Sequence, residues 1–118
     1  MTKMLVIDRR RWLRGEGASA SRLLRASDAK MCCLGFFGKD CGLTVDDMLN
    51  KRTPLAALNA HSRGVPEMQW LIDGLMGSSK ECSQLMSIND KKILSSAQRE
   101  VAITSVFARH GVIVQFIN

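Results

Sequence analysis

No run of apolar residues in this chain is long enough to cross a bilayer. The opening stretch offers only Met4-Leu5-Val6-Ile7, too short for a signal-peptide core, and no window approaches the roughly 20 residues of a membrane helix. A protein that stays in the cytosol and engages no membrane is the expectation. Internal repeats, low-complexity tracts and dividing linkers are also missing. A chain of 118 residues that buries about two-thirds of its unfolded surface sustains one core, so residues 1–118 should form a single domain. The four cysteines, at 32, 33, 41 and 82, lack the paired spacing of a zinc site and are too few for a disulfide scaffold. Free thiols are expected, with no metal and no cofactor. No complete catalytic motif is present, and no catalytic residue is assigned.

What is there is an ordinary folding composition with an uneven charge. Hydrophobic residues make up 46% and charged residues 24%, far from the mixture that stays disordered. The formal charge of +6 is concentrated at one end. Residues 1–30 hold eight basic side chains against three acidic ones, leaving +5, while residues 31–118 hold nine against eight, leaving +1. An anionic partner should therefore be met by the N-terminal quarter, unless that quarter is only a solvated, arginine-rich face.

Lys3 to Ile7 is a short apolar, partly β-branched run that predicts a buried strand. Arg9 to Arg14 follows, with Trp12 and Leu13 as its apolar residues, and Gly15 and Gly17 mark a turn. Ala20 to Arg25 reads as a second strand or a first helical turn. Met31 to Cys41 predicts a core helix closed by Gly42. Its internal Gly35 and Gly38 each cost about 1 kcal/mol against alanine, which implies either a close backbone neighbour or a broken helix. Thr44, with Asp46 and Asp47 behind it, opens a short helix ending by Asn50. Residues 51–79 read mostly as loop, with a helical turn from Thr53-Pro54 through Leu58 and an undecided Trp70-Leu71-Ile72. Ser78 to Glu81 has capping-box spacing ahead of Cys82, Leu85 and Met86. Ser95 and Gln98 make another capping box, Ile103, Val106, Phe107 and His110 share a face, Gly111 stands as a C′ glycine, and Val112 to Ile117 is a closing strand. Together these predict an α+β fold in which a small sheet of the N- and C-terminal strands packs against two or more helices.

Most chemical readings fail on spacing. Adjacent Cys32 and Cys33 point about 100° apart on a helix, and Cys33 and Cys41 sit about 12 Å apart along its axis, so one ion cannot take both. Cys33 with His61 or His110 is the one conceivable nucleophile and base pair, and nothing in the sequence joins them. Gly15-Glu16-Gly17-Ala18-Ser19-Ala20 matches a loose Gly-x-Gly-x-x-Ala fingerprint, but arginines separate it from the strand that should feed it. What remains is an anion cradle: small residues that expose backbone N–H groups, with arginines to clasp the anion. The candidate ligand-binding residues are Arg9, Arg11, Trp12, Arg14, Gly15, Arg22 and Arg25. Trp12 either stacks on a base or anchors a loop over the core.

Ile7-Asp8, Trp12-Leu13-Arg14-Gly15-Glu16-Gly17, Ser21 with Leu23-Leu24, and Lys30-Met31-Cys32-Cys33-Leu34-Gly35-Phe36 resemble a small family of uncharacterised proteins encoded by tailed bacteriophages and prophages. Ile88-Asn89-Asp90, Arg99-Glu100 and the final strand are similar to it too. The resemblance implies a phage origin and a bacterial host cytoplasm, and brings no known activity. Its implied setting is that of a non-enzymatic accessory protein acting on host machinery, including host immunity. The leading expectation is binding of an anionic, nucleotide-type small molecule through the basic N-terminal segment. The alternative is a protein-binding inhibitor of a host defence protein, and weak nucleic-acid binding is a lesser third.

Overall fold

Both ends of the chain meet in one small sheet. The computed structural model describes residues 3–61 and 64–118, and in it β1 (Lys3–Asp8) pairs in parallel with β2 (Val112–Ile117), in register from Lys3 opposite Val112 to Asp8 opposite Ile117. Leu5 and Ile7 of β1 and Val112 of β2 face inward and are buried, as period-2 alternation dictates. A parallel pair needs a crossover, and here the whole intervening chain supplies it. Six α-helices fill that crossover among the described residues: α1 (Cys33–Asp40), α2 (Val45–Met48), α3 (Pro54–Ala60), α4 (Gln69–Ile72), α5 (Lys80–Asp90) and α6 (Ser96–Ala108). Helix α1 packs on β1 and α6 on β2. The fold is α+β, with the terminal strands in one sheet as the sequence predicts.

Local signals set most helix ends. Thr44 and Ser95 each form a complete capping box, with Asp47 and Gln98 respectively. Thr53 caps α3 with Pro54 in its first turn. At the end of α1 the Gly42 amide donates to the Lys39 carbonyl and the Leu43 amide to the Gly38 carbonyl, the Schellman pattern, which needs the positive φ that Gly42 adopts at +107°.

Several expectations need correction. Helix α1 starts at Cys33, two residues later than predicted, because Met31 is drawn into a backbone bridge with Trp12: the Leu13 amide donates to the Met31 carbonyl and the Met31 amide to the Arg11 carbonyl. Residues 20–25 form neither strand nor helix. They are pinned instead by an isolated parallel bridge of Leu24 with Leu49, in which the Leu23 amide donates to the Lys51 carbonyl and the Asn50 amide to the Leu24 carbonyl, and by a bond from the Cys32 amide to the Arg22 carbonyl. The expected loop of residues 51–79 contains α3, α4 and two short 3-10 turns, Pro66–Met68 and Leu75–Gly77; its residues 62 and 63 lie outside the described residues. Apolar burial organises this stretch, since Ala57, Met68 and Leu71 are fully buried. Helix α5 is capped by Ser79, which accepts from the Cys82 amide, so the Ser78–Glu81 spacing forms no box. The C-cap of α6 is Arg109, which leaves Gly111 one position beyond C′.

Gly35 resolves the question posed by the glycines of α1. A Cβ there would lie 1.9 Å from the Leu23 carbonyl oxygen, so the helix is intact and the residue 22–24 segment crosses directly over it. At Gly38 the nearest atom is a Leu43 methyl at 2.9 Å, a side chain that can move. On the far side of α1, Phe37 packs with Trp70 and Phe107 at ring separations of 5.7 and 5.3 Å.

Candidate functional site

The arginine segment is held onto the body of the protein by one buried amide. Asn89, near the end of α5, accepts at Oδ1 from the Trp12 indole Nε1 at 2.8 Å and from the Cys33 amide at 3.0 Å. Its Nδ2 donates to the Leu13 carbonyl at 2.9 Å. Trp12 is therefore a loop anchor: it is buried, it tilts against Phe116 at 5.1 Å, and it presents no face for a base. The same oxygen supplies a cap that α1 lacks locally, since the side chain of its N-cap Cys32 makes no capping bond.

Most of the candidate arginines have internal partners. Arg9 makes a two-point ion pair with Glu100, both contacts 2.8 Å, and lies over the Phe116 ring. Each raises or lowers the other in the expected sense: the Arg9 hydrogen bonds hold the Glu100 carboxyl below its ordinary value, and Glu100 raises Arg9. Arg14 stacks on Trp12, 4.5 Å from its ring centre, and donates to the Arg9 and Trp12 carbonyls. Partial burial, and next the nearby Arg99 charge, lower its pKa. Arg22 donates to the Ser19 and Ser21 carbonyls. Arg25 is bridged by Asp28 at 2.6 Å and Glu16 at 3.5 Å, and Arg25 holds the Asp28 carboxyl down at about 2. Exposed Arg11 has no side-chain hydrogen bond or ion pair among the described residues.

The Gly15 to Ala20 turn spends three of its amides internally, those of Gly15, Gly17 and Ala20. Gly15 and Gly17, at φ +69° and +87°, donate to the Asn89 and Asp90 carbonyls at 2.8 and 2.9 Å. The space beside Gly15 is filled by the Arg99 guanidinium, 3.1 Å from where a Cβ would stand. Arg99 is buried and has no carboxylate partner among the described residues. It donates instead to the Ile88, Lys91 and Leu94 carbonyls, placing a cation at the negative end of α5.

The cysteines and histidines do not converge. Cys32, Cys33 and Cys82 are buried and Cys41 is half-buried, and burial pushes the Cys32 thiol up to about 12 and the Cys41 thiol to about 11. His61 Nδ1 lies 2.6 Å from Asp47 Oδ2, tying the end of α3 to the start of α2. His110 stacks on Trp70 at 4.0 Å. Among the described residues no cluster of His, Cys, Asp and Glu has metal-binding geometry, and no helix is long and apolar enough to cross a membrane.

One groove gathers what the turn does not. It has a volume of about 430 Å³ and is lined by Leu24, Ala26, Ala29 and Met31 on one side and by Leu43, Thr44, Val45, Met48 and Leu49 on the other, with Arg11, Arg25 and Lys39 as its charged lining residues. Among the described residues no acidic side chain lines it. The floor is apolar because Met31, Leu43 and Met48 belong to the core; the cations arrive from the loop after β1, the loop before α1 and the last turn of α1. Sequence reasoning singled out Arg11 and Arg25 but missed Lys39 and the apolar wall. No local pattern marks them, since they meet only when the residue 24–31 loop folds back beside α2. No protein-family model matches the chain, and neither a curated protein nor a solved structure matches it.

Proposed function

We propose that this chain is a non-enzymatic binding protein for a small anionic ligand, held in the groove between the residue 24–31 loop and α2. The supporting observation is the lining: an apolar floor whose charged residues are all basic, the arrangement that holds the body of a small molecule and neutralises its head. Of the candidate residues named from the sequence, Arg11 and Arg25 line the groove, and Arg9, Trp12, Arg14, Gly15 and Arg22 are not among its lining residues. In the phage setting that the sequence resemblance implies, retention of an anionic signal, nucleotides included, acts against host immunity.

The test is mass spectrometry of small molecules released by heating protein purified from bacterial cells. A stoichiometric anion that is lost from an Arg11→Gln/Lys39→Gln variant supports the reading. An anion retained equally by the variant, or none at all, overturns it.

A second reading, inhibition of a host protein, draws on a different feature. Leu75 and Met76 are 93% and 97% exposed at the tip of a turn where Met76 holds φ +59°, a conformation that non-glycine residues adopt rarely. An apolar pair presented in this way suits insertion into a partner's pocket. Pull-down from host lysate that depends on Leu75 and Met76, and not on Arg11, favours this reading.

A further inference from the structure

The lining of the groove narrows the ligand beyond its charge. We propose that the groove takes an anionic amphiphile, a single acyl chain ending in a carboxylate, rather than a nucleotide; this rests on the anion-binding reading above.

Three observations lead there. First, the side chains offer almost nothing that a base could read. Apart from the three cations, the only polar side chain among the described residues of the lining is Thr44, whose hydroxyl oxygen already accepts from the Asp47 amide at 3.2 Å while the Asp47 carboxylate accepts from the Thr44 amide at 2.9 Å. The amino groups of a base would find at most one side-chain acceptor, the remaining lone pair of Thr44, and donors left unpaired on binding weaken it by about tenfold or more. Second, apolar surface is left uncovered where a chain would lie. Val45 and Leu49, on the α2 side, are 61% and 40% exposed, and Met31 and Met48 in the floor are flexible thioethers that conform to an irregular apolar body. Third, the free positive charge is small and local. Arg25 is already balanced by Asp28 and Glu16, while Arg11 and Lys39 are exposed and carry no ion pair among the described residues. One carboxylate head neutralises one of those two charges and adds no excess of negative charge, whereas a polyphosphate would outrun both.

Isothermal titration with sodium hexanoate, octanoate and decanoate, and with decanol and adenosine monophosphate, tests this on the full chain. Each methylene removed from water should strengthen binding by about fourfold, so affinity should climb steeply from hexanoate to decanoate. Arg11→Gln/Lys39→Gln should weaken decanoate by about tenfold or more and leave decanol unchanged. Ala26→Trp, at an exposed lining position, should obstruct decanoate and decanol together without lowering the melting temperature. Adenosine monophosphate binding in preference to decanoate would overturn the amphiphile while leaving the anion reading intact. If no anion binds, both fall. Affinity independent of chain length means an ion pair on the surface and no buried chain. Binding to phosphatidylglycerol vesicles but not to monomeric decanoate means a bilayer surface. Either result overturns the proposal.

Discussion

Asn89→Ala should be among the most damaging single substitutions in this protein, although it removes no charge and little apolar surface. The change deletes the acceptor of the Trp12 Nε1 and Cys33 N–H groups and the donor to the Leu13 carbonyl, at a residue only 1% exposed. Each buried group left without a partner costs about 1–3 kcal/mol. Water entering the space left by the side chain recovers part of that, so the net loss should be about 3–5 kcal/mol. For a domain whose whole stability is about 5–15 kcal/mol, that is a large fraction. Urea unfolding followed by far-UV circular dichroism and tryptophan emission should show a lower midpoint with an unchanged slope. Trp12→Phe keeps most of the ring and removes the indole donor. Placed in the Asn89→Ala background it should cost less than it does alone, because its hydrogen bond is already gone. A loss below about 1 kcal/mol for Asn89→Ala, or strict additivity with Trp12→Phe, would refute the view that this amide fastens the arginine segment, α1 and α5 to one another.

Gly35→Ala and Gly38→Ala, identical in helix propensity, should separate. The first drives a methyl into the Leu23 carbonyl and should lose about 2–3 kcal/mol, whereas the second meets a movable Leu43 methyl and should fall within about 1 kcal/mol of wild type; equal melting temperatures for the two would contradict the crossing. Acid should weaken the fold through Asp28 and Glu100. Both carboxyls are held below their ordinary values, 3.8 and 4.5, so the stability they contribute is complete above those values and is lost as pH falls through the folded ones, which for Asp28 is about 2. Asp28→Asn should flatten the stability profile between about pH 4 and 2, as read by melting temperature against pH. At pH 8 an aromatic disulfide reagent should react slowly with the native protein, first at half-buried Cys41, and release four equivalents in urea; rapid reaction of native Cys32 or Cys33 would mean that the α1 start opens readily.

Most of what depends on a residue and its near neighbours could be read from the sequence. The two terminal strands, the helix start at Thr44, the capping box at Ser95 and the glycine closure after α1 were legible because an alternating pattern, a hydroxyl at a helix start, or a glycine at positive φ needs no distant group. Residues 51–79 were not, because their helices are short, weakly periodic and organised mainly by what they bury. The arginine-rich segment was legible as charge and not as arrangement. Eight basic side chains in thirty residues predict a positive field, but whether each guanidinium faces solvent or the protein depends on partners far along the chain: Glu100 for Arg9, the rings of Trp12 and Phe116, and Asn89, which stands 77 residues from Trp12. Tertiary structure alone turned Gly15 and Gly17 toward the end of α5 and left Arg11 and Lys39 beside an apolar groove. Hydrogen bonds between distant residues form only once burial has brought their elements together, and no spacing in the sequence encodes that distance.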